Sequence, residues 1–127
     1  MVYPQTHAQP ASGSLSFQYS EIEAAGLDQQ VKFVPKNLDG TIFDCSETVT
    51  STIEYDNGGK DVFRVSVEKH PTVVLGDATG IILAFPGTDV HDICAMGASS
   101  GNFFLRISEG VNLVPCAVGS WTAKVIP

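Results

Sequence analysis

Gly101-Asn102-Phe103-Phe104-Leu105-Arg106-Ile107, then Glu109-Gly110, then Gly119-Ser120-Trp121-Thr122-Ala123-Lys124-Val125 is the stretch on which the fold turns. Phe103, Leu105 and Ile107 fall on one side of a two-residue period, and Trp121, Ala123 and Val125 do the same. That period puts successive side chains on opposite faces of a strand. Glu109-Gly110 reads as a turn. Val111 to Val118 reads as a returning strand, with Pro115 at an edge or bulge because proline has no N–H to give a ladder. A closing strand then runs from Trp121 to Ile126. The two apolar faces are expected to pack on each other across or within a sheet. Trp121, in phase with Ala123 and Val125, is read as a core residue.

The same period recurs upstream. Leu15, Phe17 and Tyr19 alternate with polar residues, and Val31-Lys32-Phe33-Val34-Pro35 reads as the next strand. Val49, Ser51, Ile53 and Tyr55 alternate with Thr50, Thr52 and Glu54, and Phe63, Val65 and Val67 with Arg64 and Ser66. Val73 to Leu75 and Ile81 to Phe85 complete the set. Between these lie turn signals at Asn37-Leu38-Asp39-Gly40, Asp56-Asn57-Gly58-Gly59 and Gly76 to Gly80. Helix is expected in two brief connectors only. Near Ser20–Ala25, Ser20 and Glu23 match a capping box and Gly26 stops the turn. At Asp89–Met96, Thr88 or Asp89 caps and Val90, Ile93 and Cys94 share a face. No segment carries the long crossover helix that parallel α/β folds need. Roughly seven to nine short strands at this spacing predict an all-β chain, a single antiparallel β-sandwich. Its expected core is Phe17, Phe33, Ile53, Phe63, Val65, Val67, Ile82, Phe103, Leu105, Ile107, Val118 and Trp121.

Composition narrows the function classes. The 127 residues fit one domain, and 43% hydrophobic content suffices for a packed core. Seven Lys+Arg against fourteen Asp+Glu give a net charge of −7. Such a surface repels phosphate backbones, so no nucleic-acid partner is expected. The start, Met1 to His7, has no basic or apolar leader pattern, and Ile81 to Phe85 is far too short to span a bilayer, so no membrane partner is expected either. Three cysteines, Cys45, Cys94 and Cys116, make an odd count. Buried thiols of a protein made in a reducing cytosol are expected, with one intramolecular pair as the alternative.

Each candidate for chemistry lacks a partner. Gly97-Ala98-Ser99-Ser100-Gly101 matches a nucleophile-elbow pattern, but a strand follows it instead of a helix and no His lies downstream. His91 and Cys94 with Cys45 and Cys116 have no standard zinc spacing, so no metal is expected. Asp56, Asp61, Asp77, Asp89 and Asp92 read as solvated turn acids; a glycosidase would need two of them facing across a cleft. No catalytic residue and no cofactor is therefore expected. Residues 1–13 read as an extended N-terminal arm, since Pro4 and Pro10 exclude helix, and residues 14–127 as the sandwich domain. The arm would dock through Val2, Tyr3 and Pro4 as apolar anchors and Gln5 and Thr6 as hydrogen-bonding groups. The sandwich loops would add Asn57, Gly58, Asp77, Ser99 and Asn102.

Four stretches carry a family likeness: Asp39-Gly40-Thr41-Ile42, Thr79-Gly80-Ile81-Ile82-Leu83, the connector Asp89–Met96, and the late hairpin quoted above. Through them, Val31 to Val125 resembles the small immunoglobulin-like sandwich modules of tailed-phage virions, in particular the N-terminal domain of baseplate upper proteins. That family usually has a Tyr where this chain has Phe103 or Phe104, and further domains usually follow it, so a free-standing accessory subunit is expected. The resemblance implies an immunoglobulin-like sandwich and a non-enzymatic virion structural protein, made in the host cytoplasm. The role it implies is capsid decoration, with the major capsid protein as partner and a homo-oligomer as an option. The alternatives are a tail, neck or baseplate adaptor, or a carbohydrate- or receptor-binding module displaying Trp121, Tyr55 and Tyr19.

Overall fold

The computed structural model describes residues 8–20, 25–26, 28–58, 66–95, 99–109 and 112–126. In chain order these form β1 (Ala8–Gln9), β2 (Ala11–Ser20), β3 (Ala25–Gly26), β4 (Gln29–Phe33), β5 (Lys36–Asn37), β6 (Thr48–Asp56), β7 (Ser66–Lys69), β8 (Thr72–Asp77), β9 (Gly80–Phe85), α1 (Val90–Cys94), β10 (Ser100–Glu109) and β11 (Asn112–Ile126). One 3₁₀ turn, Gly87–Asp89, leads into α1. A six-stranded sheet runs β3-β2-β11-β10-β6-β7, a three-stranded sheet runs β4-β9-β8, and β1 pairs with β5. The buried side chains of the larger two sheets form one core, so the chain is an all-β sandwich.

The late hairpin forms as its period requires. Phe103, Leu105 and Ile107 are buried on β10, and Trp121 and Ala123 on β11. Two details differ from expectation. The expected strands 111–118 and 121–126 are one strand, continuous through Gly119, where the Gly13 carbonyl of β2 occupies the space that a Cβ would fill and so requires glycine. The register also slips between Leu105, opposite Ala117, and Arg106, opposite Pro115. This bulge holds Pro115 as expected, and it buries both Cys116 and Ala117. Beyond the bulge the faces are exchanged, so Val118 turns outward and is not fully buried.

The sandwich is not wholly antiparallel. β2 runs parallel to β11, from Ala11 opposite Ala117 to Ser20 opposite Ile126. The arm boundary moves accordingly. Residues 8–13 belong to the fold, through β1 against β5 and β2 against β11, whereas Met1 to His7 lie outside the described residues. Most of the connector expected near Ser20–Ala25 also lies outside them; its two end residues are in strands that pair, Tyr19 with Gly26 and Ser20 with Ala25. The second connector is present, with Val90 and Ile93 buried and Cys94 partly so, but no side chain of Asp89 caps it. Lys69 holds α1 to the sheet instead, 3.9 Å from the Asp89 carboxylate and closer to that of Asp92.

Seven of the expected core residues are buried: Phe17, Phe33, Ile53, Phe103, Leu105, Ile107 and Trp121. Phe63 and Val65 lie outside the described residues, and Val67 packs against the core from its margin. On β9 the other phase points inward. Ile81, Leu83 and Phe85 are buried and Ile82 is not, because that phase carries the Phe that meets Phe17 and Phe33 edge to face. Full burial of such a side chain stabilises by about 1.5–3 kcal/mol. All three cysteines are thiols, and Cys45 and Cys116 are buried.

Candidate functional site

β6 ends at Asp56, and there three strands are tied together. One carboxylate oxygen of Asp56 accepts the Gly58 amide at 2.8 Å, making a tight turn, and the Asn102 amide of β10 at 3.1 Å. Its main-chain carbonyl accepts the Trp121 indole N–H of β11 at 2.6 Å. A buried indole needs such a partner, and the lone Trp of the chain finds it on β6, the next strand but one in the sheet. The approach is close enough to require glycine at 101. A Cβ there would overlap the Asp56 carbonyl and sit 2.6 Å from the indole nitrogen. The Ser99 carbonyl completes the junction by accepting the Ala123 amide at 2.8 Å.

Beside this junction the outer face of the six-stranded sheet carries a groove of about 450 Å³ lined by Glu54, Asp56, Ser66, Asn102, Phe103 and Phe104. Strand alternation explains its membership. Ile53, Tyr55, Phe103 and Leu105 turn into the core, so Glu54, Asp56, Asn102 and Phe104 turn out. Cross-strand register places Phe104 opposite Glu54, and Asp56 opposite Ser66. Phe104 is 38% exposed, and the Arg106 guanidinium lies 5.5 Å from its ring centroid and 3.1 Å from Glu54 Oε2. An exposed ring beside carboxylates, a hydroxyl and an amide suits recognition of an amphipathic surface. Glu54 and Asp56 are two residues apart on the outward face of β6.

The sequence-predicted contact residues divide. Gly58, Ser99 and Asn102 gather at the Asp56 junction, and Asn102 lines the groove. Asn57 is fully buried there, so its side chain offers no partner surface. Asp77 is at the opposite end. Its carbonyl accepts the Cys45 amide, and the Cys45 carbonyl accepts that of Thr48, where β6 begins. A nine-residue strand thus separates it from Asp56, roughly 25 Å at about 3.3 Å per residue. Val2, Tyr3, Pro4, Gln5 and Thr6 lie outside the described residues. Trp121 and Tyr55 are buried and meet edge to face with centroids 6.3 Å apart, so neither is a sugar-stacking platform. Burial pushes the Tyr55 phenol far above its ordinary range, keeping it neutral.

Glu54, Ser66, Phe104 and Arg106 were missed by sequence reasoning focused on turns. The signal was present in the strands, as the out-of-phase members of the alternation that placed the core. Among the described residues no group of three His, Cys, Asp or Glu side chains is placed to hold a metal, and no helix is long and apolar enough to cross a membrane. No family model matches the chain, and neither a curated protein nor a solved structure matches it.

Proposed function

We propose that this chain is a non-enzymatic partner-binding module with an immunoglobulin-like strand order, serving as a capsid decoration protein of a tailed-phage virion. Strand order supports the immunoglobulin-like reading. If β4, β6, β7, β8, β9, β10 and β11 are strands B, C, C′, D, E, F and G, one sheet holds G-F-C-C′ and the other B-E-D. The short helix then falls in the E–F connection. The departures from an antibody-type domain are the Trp on G instead of C and thiols in place of an inter-sheet disulfide.

The observation that carries the binding reading is the groove, with Phe104 held open next to Glu54 and Asp56 on a surface fixed by the Asp56 junction. The virion placement rests on the sequence resemblance of Val31 to Val125, with the major capsid protein as the partner. Co-sedimentation of the full chain with undecorated tailed-phage capsids tests both. The chain should pellet with capsids, and F104A, whose side chain is partly exposed, should weaken this at least tenfold with an unchanged Tm. No pelleting of the folded wild-type chain would remove the virion placement. Pelleting insensitive to F104A would remove the groove as the contact.

A further inference from the structure

β2 is the outermost long strand of the six-stranded sheet, flanked only at its end by the two-residue β3, and it lacks the charges, prolines and bulges that usually close an edge. Over its ten residues it carries no charged residue and no proline, and its register with β11 is unbroken. Among the described residues only Tyr19 and Ser20 have a second strand beside them. Among the described residues, Ala11 to Gln18 therefore have no second strand beside them. The direction of its groups is fixed at two points. The Gly13 carbonyl lies against Gly119 of β11, so the Ser14 N–H of the same peptide unit points away from the sheet. The Ser16 carbonyl also points away, and the side-chain amide of Gln29 on β4 donates to it at 3.0 Å, standing in for the hydrogen bond that another strand would make.

A slot of about 220 Å³ opens at this edge, where β2 passes the end of β4, lined by Ser16, Gln18, Asp28 and Gln29. Among the described residues Asp28 is its one carboxylate. One oxygen is taken by the Gly87 amide at 2.7 Å; among the described residues the other has no hydrogen-bond donor. The slot thus asks for a cationic side chain next to a backbone edge that asks for a strand. We propose that the open edge of β2 takes an extended segment of a partner polypeptide as an added strand, with a Lys or Arg side chain of that segment seated in the Ser16–Gln18–Asp28–Gln29 slot. A second copy of β2 does not meet this requirement, because residues 1–20 contain no Lys or Arg. Two chains of net charge −7 also repel each other. The groove beside Phe104 is on β6, β7 and β10, with β11 between it and this edge, so the two surfaces stand or fall separately.

The test uses the full chain and a ten-residue peptide of alternating Thr and Val with one central Lys, its ends blocked. The same peptide with Glu for Lys, and one N-methylated on alternate residues, are the controls. Amide NMR should show the Lys peptide shifting Ser12, Ser14 and Ser16 at sub-millimolar concentration. The N-methylated peptide should not bind, and the Glu peptide should bind more weakly. D28N keeps an oxygen for the Gly87 amide but removes the charge, and should weaken the Lys peptide about three- to fivefold. S14P removes an N–H that the sheet does not use, and should weaken binding at least tenfold with Tm nearly unchanged. Three results would overturn the proposal: no binding of the Lys peptide at about 1 mM, binding insensitive to S14P, or Ser12 and Ser14 amides already protected from exchange in the peptide-free chain. A dimer of the chain that S14P dissolves would also overturn it, in favour of a second copy.

Discussion

The two ends of β6 are built on different principles. At the Asp56 end a single residue is satisfied across three strands, by Gly58, by Asn102 and by the Trp121 indole. Toward the Thr48 end the turn carboxylates close their own turns. Asp39 accepts the amide and hydroxyl of Thr41, Asp44 those of Ser46, and Asp77 those of Thr79. Asp56 reaches partners 46 and 65 residues away as well as Gly58, whereas the side chains of Asp39, Asp44 and Asp77 bond only two residues on, and the long-range tie at that end is the main-chain bond from Cys45 to Asp77. A long-range junction forms only with the whole sandwich and then holds its surface still. A local Asp-x-Thr or Asp-x-Ser turn forms with its own loop and constrains little beyond it. The groove lies at the first end, where a preorganised binding surface costs least to immobilise.

Two glycines offer the sharpest contrast. G101A forces a Cβ into the Asp56 carbonyl and should destabilise the chain by about 3 kcal/mol, read as a shift in denaturant midpoint without a change in slope. W121F removes the indole donor and part of the core filling, and should cost about 2 kcal/mol by the same measurement. At the other end G40A meets open space, and its penalty comes only from the positive φ of 90°, about 1 kcal/mol. A G40A cost equal to that of G101A would break the contrast.

The smallest effect concerns pH. The hydroxyl and amide of the residue two positions on hold Asp39, Asp44 and Asp77 below the ordinary value of 3.8. Their folded values lie below their unfolded ones, so the unfolded state takes up protons first as pH falls. The stability they contribute is therefore present above about pH 4 and is lost as pH falls through their lower folded values. Asp39 and Asp44 are exposed and Asp77 is half-buried, so the loss is shallow. Denaturant midpoints measured from pH 6 to pH 2.5 should fall less steeply for the D39N, D44N, D77N triple variant than for the wild type. Equal slopes would mean that the turn hydrogen bonds do not favour the ionised carboxylates.

Legibility in the sequence divides along the same line. The alternation at Phe103, Leu105 and Ile107 placed one core wall, because a strand has only two faces. Ile81-Ile82-Leu83-Ala84-Phe85 is apolar throughout, so period alone does not choose a phase, and the aromatic contacts of Phe85 decide it. Val118 was misplaced because a bulge is a property of two strands, and neither one's period announces it. The parallel pairing of β2 with β11 was hidden for a similar reason, since side-chain period does not name a partner strand. Asp56 read as a solvated turn acid. Its turn role was legible in Asp56-Asn57-Gly58, but the link to Trp121 spans 65 residues and leaves no local trace. The groove was missed because its residues are outward members of strands, where polar side chains are the default.

Residue-resolved hydrogen exchange on the full chain tests most directly the claim that the Asp56 end is a rigid, globally wired platform. The Asn102 amide and the Trp121 indole N–H should exchange only through global unfolding, with a free energy equal to that from denaturant titration. The Thr41, Ser46 and Thr79 amides should exchange through local opening, orders of magnitude faster. Asn102 and Trp121 exchanging as fast as Thr79 would contradict the account.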